Sequence, residues 1–162
     1  MCYLSKDAAL VSAAQEADSF VMRKKIREVS GEEAIARLRE AGLRPTRQRT
    51  ELAGLLFRDG DRHMTAESLR DEAAKAGIKV SLATVYNTLH QFTEAGLLRQ
   101  VVVDAARSYF DTNIGDHQHF YCEDENRLID IPGEMIDVSG VPTPPKGMSI
   151  DRVDVVIRLR RN

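Results

Sequence analysis

Between residues 30 and 95 the apolar positions recur at three- and four-residue intervals, with glycines punctuating them; beyond residue 97 they alternate. Ser30 followed by Glu33 is a capping-box signature, and Ile35, Leu38 and Ala41 continue at helical spacing until Gly42 ends a first helix. Pro45 and Thr46 open a second helix, whose Leu52, Leu55 and Leu56 form an apolar stripe before Asp59-Gly60 breaks it. Thr65 is an N-cap for a third helix to about Lys75, with Leu69 and Ala73 on one side and Gly77 closing it. Ser81 caps a fourth, Leu82 to about Ala95. Its stripe is Leu82, Val85, Leu89 and Phe92; Ala83, Asn87, His90 and Glu94 face away, and Tyr86 sits at the border.

After Gly96, LLRQVVV and RSYFD are rich in β-formers and are separated by residues 104–106, a hairpin pattern. Two helices joined by a glycine-containing turn and followed by a hairpin describe a winged helix-turn-helix. HQHFYC and RLIDI are two further short strands around a turn at Glu123–Asn126. A loop rich in proline and glycine follows, with room for a turn around Glu134–Val138, and RVDVVIRLR alternates Val153, Val155, Ile157 and Leu159 as a final strand. The expected class is α+β. An extension over 1–28 precedes a winged-helix domain over 29–112, and a small second domain covers 113–162.

Composition refines this picture. With 43% apolar and 30% charged residues the chain is an ordinary globular protein, and no apolar run reaches the length of a membrane span. The N-terminus carries acidic residues where a signal peptide needs an uninterrupted apolar core, so the expected location is cytoplasmic, with no membrane partner. Cys2 and Cys122 are too few for a disulfide framework or a four-cysteine zinc site. The net charge of −2 is unevenly spread: Arg23, Lys24, Lys25, Arg27, Arg37, Arg39, Arg44, Arg47 and Arg49 make the front basic, whereas Asp116, Glu123, Asp124, Glu125, Asp130, Glu134 and Asp137 make the middle acidic. One half suits phosphate and the other suits cations.

A helix that enters the major groove of double-stranded DNA presents small or polar residues near its N-terminus and is flanked by cations. Ser81, Ala83, Thr84, Tyr86 and Asn87 fit the first requirement, and Arg44, Arg47, Arg49, Lys79 and Arg107 fit the second. The competing reading of the same pattern is a small helical bundle with Tyr86 half-buried.

His117 and His119 leave the same face of their strand, and the expected turn puts His119 opposite Asp130. Two imidazoles and a carboxylate suit iron, manganese or zinc, with ligand distances of about 2.0–2.2 Å for zinc. His63, in the loop before the third helix, and Asp111, closing the wing, are additional candidate ligands. A His-x-His pair that merely faces solvent is the alternative. His90 is expected at the surface, and Cys122 is expected to be buried on the face away from the histidines.

The stretches GLRPTRQR, HMTAESL, VSLATVYNTLHQFTEAGLL, RSYFD, DHQHFYC and RLIDI, in this order over residues 30–160, resemble the ferric uptake regulator superfamily. That resemblance implies a homodimeric, metal-dependent transcription regulator with a C-terminal α/β dimerisation domain. It places the regulatory metal on His63, Asp111, His117 and His119, with Asp130 as the fifth ligand of the peroxide-sensing branch. Tyr86 matches the family's base-contacting tyrosine and Arg44 its basic residue near the minor groove, whereas Asn87 replaces an arginine.

The paired cysteines that hold the family's structural zinc are absent, and the Pro/Gly-rich loop replaces a helix. In both respects the chain is similar to the iron response regulator branch, whose members respond to iron status, some of them through haem. No Cys-Pro haem motif is present, since Cys2 precedes Tyr3 and Cys122 precedes Glu123, so a haem response implies His117, His119 or their neighbours. The expected function is metal- or haem-responsive control of iron-dependent genes as a repressor or switch; the alternative is peroxide sensing with Fe(II) at the same centre. A metal-dependent hydrolase or storage protein is the reading from another class. Neither a general base beside the ligands nor a nucleophile motif supports an enzyme.

Overall fold

Four hydroxyl side chains start four helices. In the computed structural model, which describes residues 30–104 and 107–161, Ser30, Thr46, Thr65 and Ser81 accept the backbone N–H groups of Glu33, Arg49, Ser68 and Thr84. Each cap is worth about 1 kcal/mol. The helices are α1 (Gly31–Glu40), α2 (Arg47–Phe57), α3 (Ala66–Lys75) and α4 (Leu82–Glu94). α1, α3 and α4 end alike: Gly42, Gly77 and Gly96 take φ of +74°, +75° and +73°, and the next residue's N–H reaches back to the carbonyls of Leu38, Ala73 and Phe92 at 2.8 Å. This Schellman closure folds Leu43, Ile78 and Leu97 onto the core. The extension expected over 1–28 lies outside the described residues.

Leu38, Leu52, Leu56, Leu69, Val85, Leu89, Phe92 and Phe110 are fully buried in one cluster that binds the helices to the first sheet. Two expected core positions differ. α1 buries Ala34 and Leu38, leaving Ile35 half-buried, and α4 buries Thr88 where Leu82 is 37% exposed. Leu82 stands in the first turn, beyond the reach of the core, and Thr88 is tolerated inside because its hydroxyl donates to the Thr84 carbonyl at 2.8 Å.

Among the described residues the strands form two three-stranded sheets. The first, in the order β1-β3-β2, contains β1 (His63–Met64), β2 (Arg99–Asp104) and β3 (Arg107–Asp111), all antiparallel. β1 corrects the expected loop at His63; two residues are too few to show a period. The second, in the order β5-β4-β6, contains β4 (His117–Cys122), β5 (Arg127–Pro132) and β6 (Val156–Leu159). His119 lies opposite Asp130, as expected from the turn, and a short 3-10 helix, Gly133–Met135, follows β5. The final strand is shorter than its alternation suggested, leaving Val153 and Val155 outside it, and it runs parallel to β4.

The two sheets share a second core, in which Val101, Val103 and Tyr109 of the wing pack with Tyr121, Leu128 and Val156. Cys122 does face away from the histidines, beside Phe120, but it is half-buried, because β4 is covered fully on its wing-facing side only. No helix among the described residues is long and apolar enough to cross a membrane.

Candidate metal centre and nucleic-acid face

Register brings together side chains that lie far apart in sequence. His63 on β1 pairs with Asp111 at the end of β3, and His119 on β4 pairs with Asp130 on β5. Because cross-strand partners project from the same face, each sheet presents an imidazole beside a carboxylate. His117, two residues before His119, adds a third imidazole. One ligand atom from each of these five residues lies within 4.8 Å of all the others.

The pair distances are short. Asp111 Oδ2 is 2.7 Å from His117 Nε2, 3.2 Å from His119 Nε2 and 3.4 Å from His63 Nε2. Asp130 Oδ1 lies 2.9 Å from His63 Nε2 and 3.7 Å from Nε2 of both His117 and His119. Around one ion with ligand bonds of about 2.1 Å, neighbouring donors sit about 3.0–3.4 Å apart, so these distances suit the edges of a coordination polyhedron. His63 Nε2 is buried without a hydrogen bond although both carboxylates are close; its contacts have the proximity but not the direction of hydrogen bonds. His117 Nδ1 lies 2.9 Å from the Gly115 carbonyl, which can only accept, so Nδ1 carries a proton and Nε2 is the ring nitrogen left for a metal. Asp111 Oδ1 accepts the Asn113 N–H at 2.8 Å, which fixes the other oxygen in the cluster. Acceptor atoms this close need a positive charge among them, and the set fits a divalent transition metal.

Protons supply that charge in the metal-free protein. Burial pushes His63 toward its neutral form, but the adjoining Asp111 and Asp130 outweigh it and lift its pKa to about 9. Burial alone would raise the Asp111 carboxyl; contact with His119 and His63 instead holds it far below the usual carboxylate range. Asp130 follows the same balance, with burial opposed chiefly by His63 and the net shift downward.

At the start of α4, Ser81, Ala83, Tyr86 and Asn87 are exposed. Ser81 is also the cap, and its hydroxyl lies 2.9 Å from that of Thr84, which is half-buried. Arg44 and Lys79 are exposed, and the Arg47 side chain is 89% exposed while paired with Glu51. Arg47 and Lys79 line one cleft of about 390 Å³ with Gln48, Glu51 and Gly77. Arg49, half-buried, and Arg107, exposed, both make hydrogen bonds within the chain: Arg49 donates to Gln91 Oε1 at 2.8 Å and to the Arg44 carbonyl, and Arg107 donates to the Tyr121 hydroxyl at 3.1 Å. His90 is exposed, between the rings of Tyr86 and Phe110. Sequence reasoning missed Glu67, whose carboxylate accepts the Tyr86 hydroxyl; no motif marks it, because the contact crosses from α3 to α4.

Fold and cluster together define a winged-helix protein with a histidine–carboxylate centre between its two sheets. Residues 40–157 match the model of the ferric uptake regulator family, and the chain belongs to that family. It is 33% identical over 99 residues to the peroxide-responsive repressor PerR of Staphylococcus aureus, a stretch covering 61% of this chain and 66% of the relative. The corresponding repressor of Staphylococcus epidermidis is 32% identical over 106 residues, covering 65% and 70%. Among solved structures, the ferric uptake regulator of Pseudomonas aeruginosa with manganese superposes with a TM-score of 0.60 at 28% identity, covering 79% of this chain and 97% of that one. The fold class is therefore α+β, an N-terminal winged helix-turn-helix followed by a small second domain built on a three-stranded sheet. Family members are transcription regulators, not enzymes.

Proposed function

We propose that this protein is a homodimeric DNA-binding transcription regulator whose grip on its operator is set by a divalent transition metal held by His63, Asp111, His117, His119 and Asp130. One observation carries the reading: donor atoms from these five residues lie within 4.8 Å of one another, and two of the residues come from the winged helix while three come from the second sheet. A bound divalent ion would supply the positive charge that these acceptors call for. The chain's own contribution is to spread those ligands over β1, β3, β4 and β5, so that convergence fixes the angle between DNA reader and dimerisation domain.

The start of α4 supplies the base contacts through Ala83, Tyr86 and Asn87, with Arg44, Arg47 and Lys79 toward the phosphates. The homodimer reading is supported by the outer face of the second sheet, where Phe120, Cys122 and Ile129 are half-buried and Ile157 and Leu159 are 38% and 37% exposed. Control of iron-dependent genes is the biological setting that the family suggests.

An ion suits the centre better than haem. The Nε2 atoms of His117 and His119 are 3.1 Å apart, and both residues are buried, so a macrocycle has no place between them in this arrangement. A second reading, peroxide sensing, draws on Asp130 within the cluster and on similarity to peroxide-responsive repressors. In it, a histidine ligand is oxidised by peroxide when the centre holds ferrous iron; mass spectrometry after peroxide treatment of iron-loaded protein then shows an added oxygen on His63, His117 or His119. For the main reading, His117→Ala combined with His119→Ala abolishes the change in DNA affinity caused by Mn(II) or Zn(II). An unchanged metal response in that variant defeats it.

A further inference from the structure

Arg99 opens β2 directly opposite Asp111, which itself lies opposite His63. Cross-strand partners share a face, so Arg99 is the third member of a row whose other two belong to the metal-ligand cluster. Its side chain is 5% exposed, an unusual place for a cation. The guanidinium turns across to the second sheet: Nη1 donates to the His117 carbonyl at 3.0 Å, and Nη2 pairs with the Asp154 carboxylate. Asp154 also accepts Arg152 Nε at 3.0 Å.

One residue further on, the Val155 N–H donates to Gln118 Oε1 at 2.6 Å, and the Val155 carbonyl accepts the His119 N–H at 3.1 Å. Val155 thus clasps β4 at the Gln118 side chain and the His119 N–H, between and beside the two histidines, and Asp154 joins that clasp to Arg99. Arg99 pins that clasp to the root of the wing. Farther out on the wing, Arg158 donates to the Val103 carbonyl and packs over the Tyr121 ring, so a second arginine braces the same two sheets.

We propose that Arg99 is the positioning residue through which the centre sets the wing: it converts the placement of His117 into the placement of β2. This rests on the function proposed above. A planar guanidinium holding two acceptors at once has little freedom to swing, so a shift of the His117 backbone is passed to β2 and is not absorbed by the side chain. A buried cation also needs its partner, and Asp154 therefore belongs to the device. Arg99 binds no metal itself; its effect falls on how occupancy is read out.

The test uses the full chain, Zn(II) as probe ion, and a duplex selected from a random pool by the zinc-loaded wild-type protein. Zinc affinity is measured by chelator competition, and DNA affinity is measured with and without zinc, for wild type, Arg99→Met and Asp154→Asn. In wild type, zinc changes DNA affinity by about tenfold or more. In both variants zinc affinity stays within about threefold of wild type, while the zinc-induced change in DNA affinity falls below about threefold. A purely structural role cannot produce that split. Variants that keep the wild-type response overturn the proposal alone, as do variants that lose zinc affinity in proportion to response. A wild-type protein that binds zinc without any change in DNA affinity overturns the functional reading and this proposal together. Should Arg99→Met fail to fold by circular dichroism, Asp154→Asn carries the test, since the Asp154 side chain is 41% exposed.

Discussion

The hydroxyl of Tyr86 on α4 donates to Glu67 Oε1 on α3 at 2.8 Å, so a carboxylate fixes an aromatic side chain of the exposed helix face. This contact holds Glu67 below the usual carboxylate range, so a negative charge stands where a DNA backbone would approach. Tyr86→Ala is expected to weaken operator binding by about 1–3 kcal/mol, the value of one good base contact. Glu67→Gln keeps an acceptor for Tyr86 and is expected to strengthen binding to non-specific duplex at low salt, with the gain fading as salt rises. Arg47→Ala should reduce the salt slope by about one. Anisotropy titrations at several salt concentrations check all three.

His63 gives the centre a pH dependence with two opposite signs. Its folded-state pKa of about 9 lies above the roughly 6.5 of a free imidazole, so in metal-free protein its stabilisation is full below that lower value. The contribution is lost as pH rises through about 9. Metal binding runs the other way, because the ion displaces the proton: affinity should climb with pH for as long as His63 is protonated and level off above about 9. Calorimetry at pH 7.5 in buffers of different ionisation enthalpy should show about one proton released per ion. Binding without proton release contradicts this prediction.

Ile157, opposite Phe120 on the outer face of the second sheet, is 38% exposed. Ile157→Lys is expected to shift the protein from dimer to monomer in sedimentation velocity while leaving the melting of the winged helix unchanged, since β6 lies outside the helical core.

Phe92 is fully buried in that core, and Phe92→Ala should cost about 3–5 kcal/mol. The metal-free protein should show this as a lowered urea midpoint with an unchanged slope. A loss below about 1 kcal/mol would mean that the cluster collapses onto the gap.

Local chemistry made much of the fold legible. Ser30, Thr46, Thr65 and Ser81 announce their helices because a cap hydroxyl acts on a backbone N–H three residues away, and Gly42, Gly77 and Gly96 end helices because a left-handed φ is a property of one residue. The pairing of His119 with Asp130 could likewise be read, since a short turn sets the register of its hairpin.

Where a contact joins distant stretches, the sequence carries no such signal. β1 is two residues long and exists because β3 offers it an edge, and β6 pairs in parallel with β4 after a long irregular segment. Arg99 and Glu67 sit in ordinary helix and strand patterns, and only packing shows what they hold. The sequence by itself therefore determined the helices, the hairpins, the candidate ligands and the family resemblance, all consequences of short-range preference. Tertiary structure decided that His63 and Asp111 from one sheet meet His117, His119 and Asp130 from the other, because long-range pairing and burial of the shared core, not any local preference, bring those donors within reach of one ion.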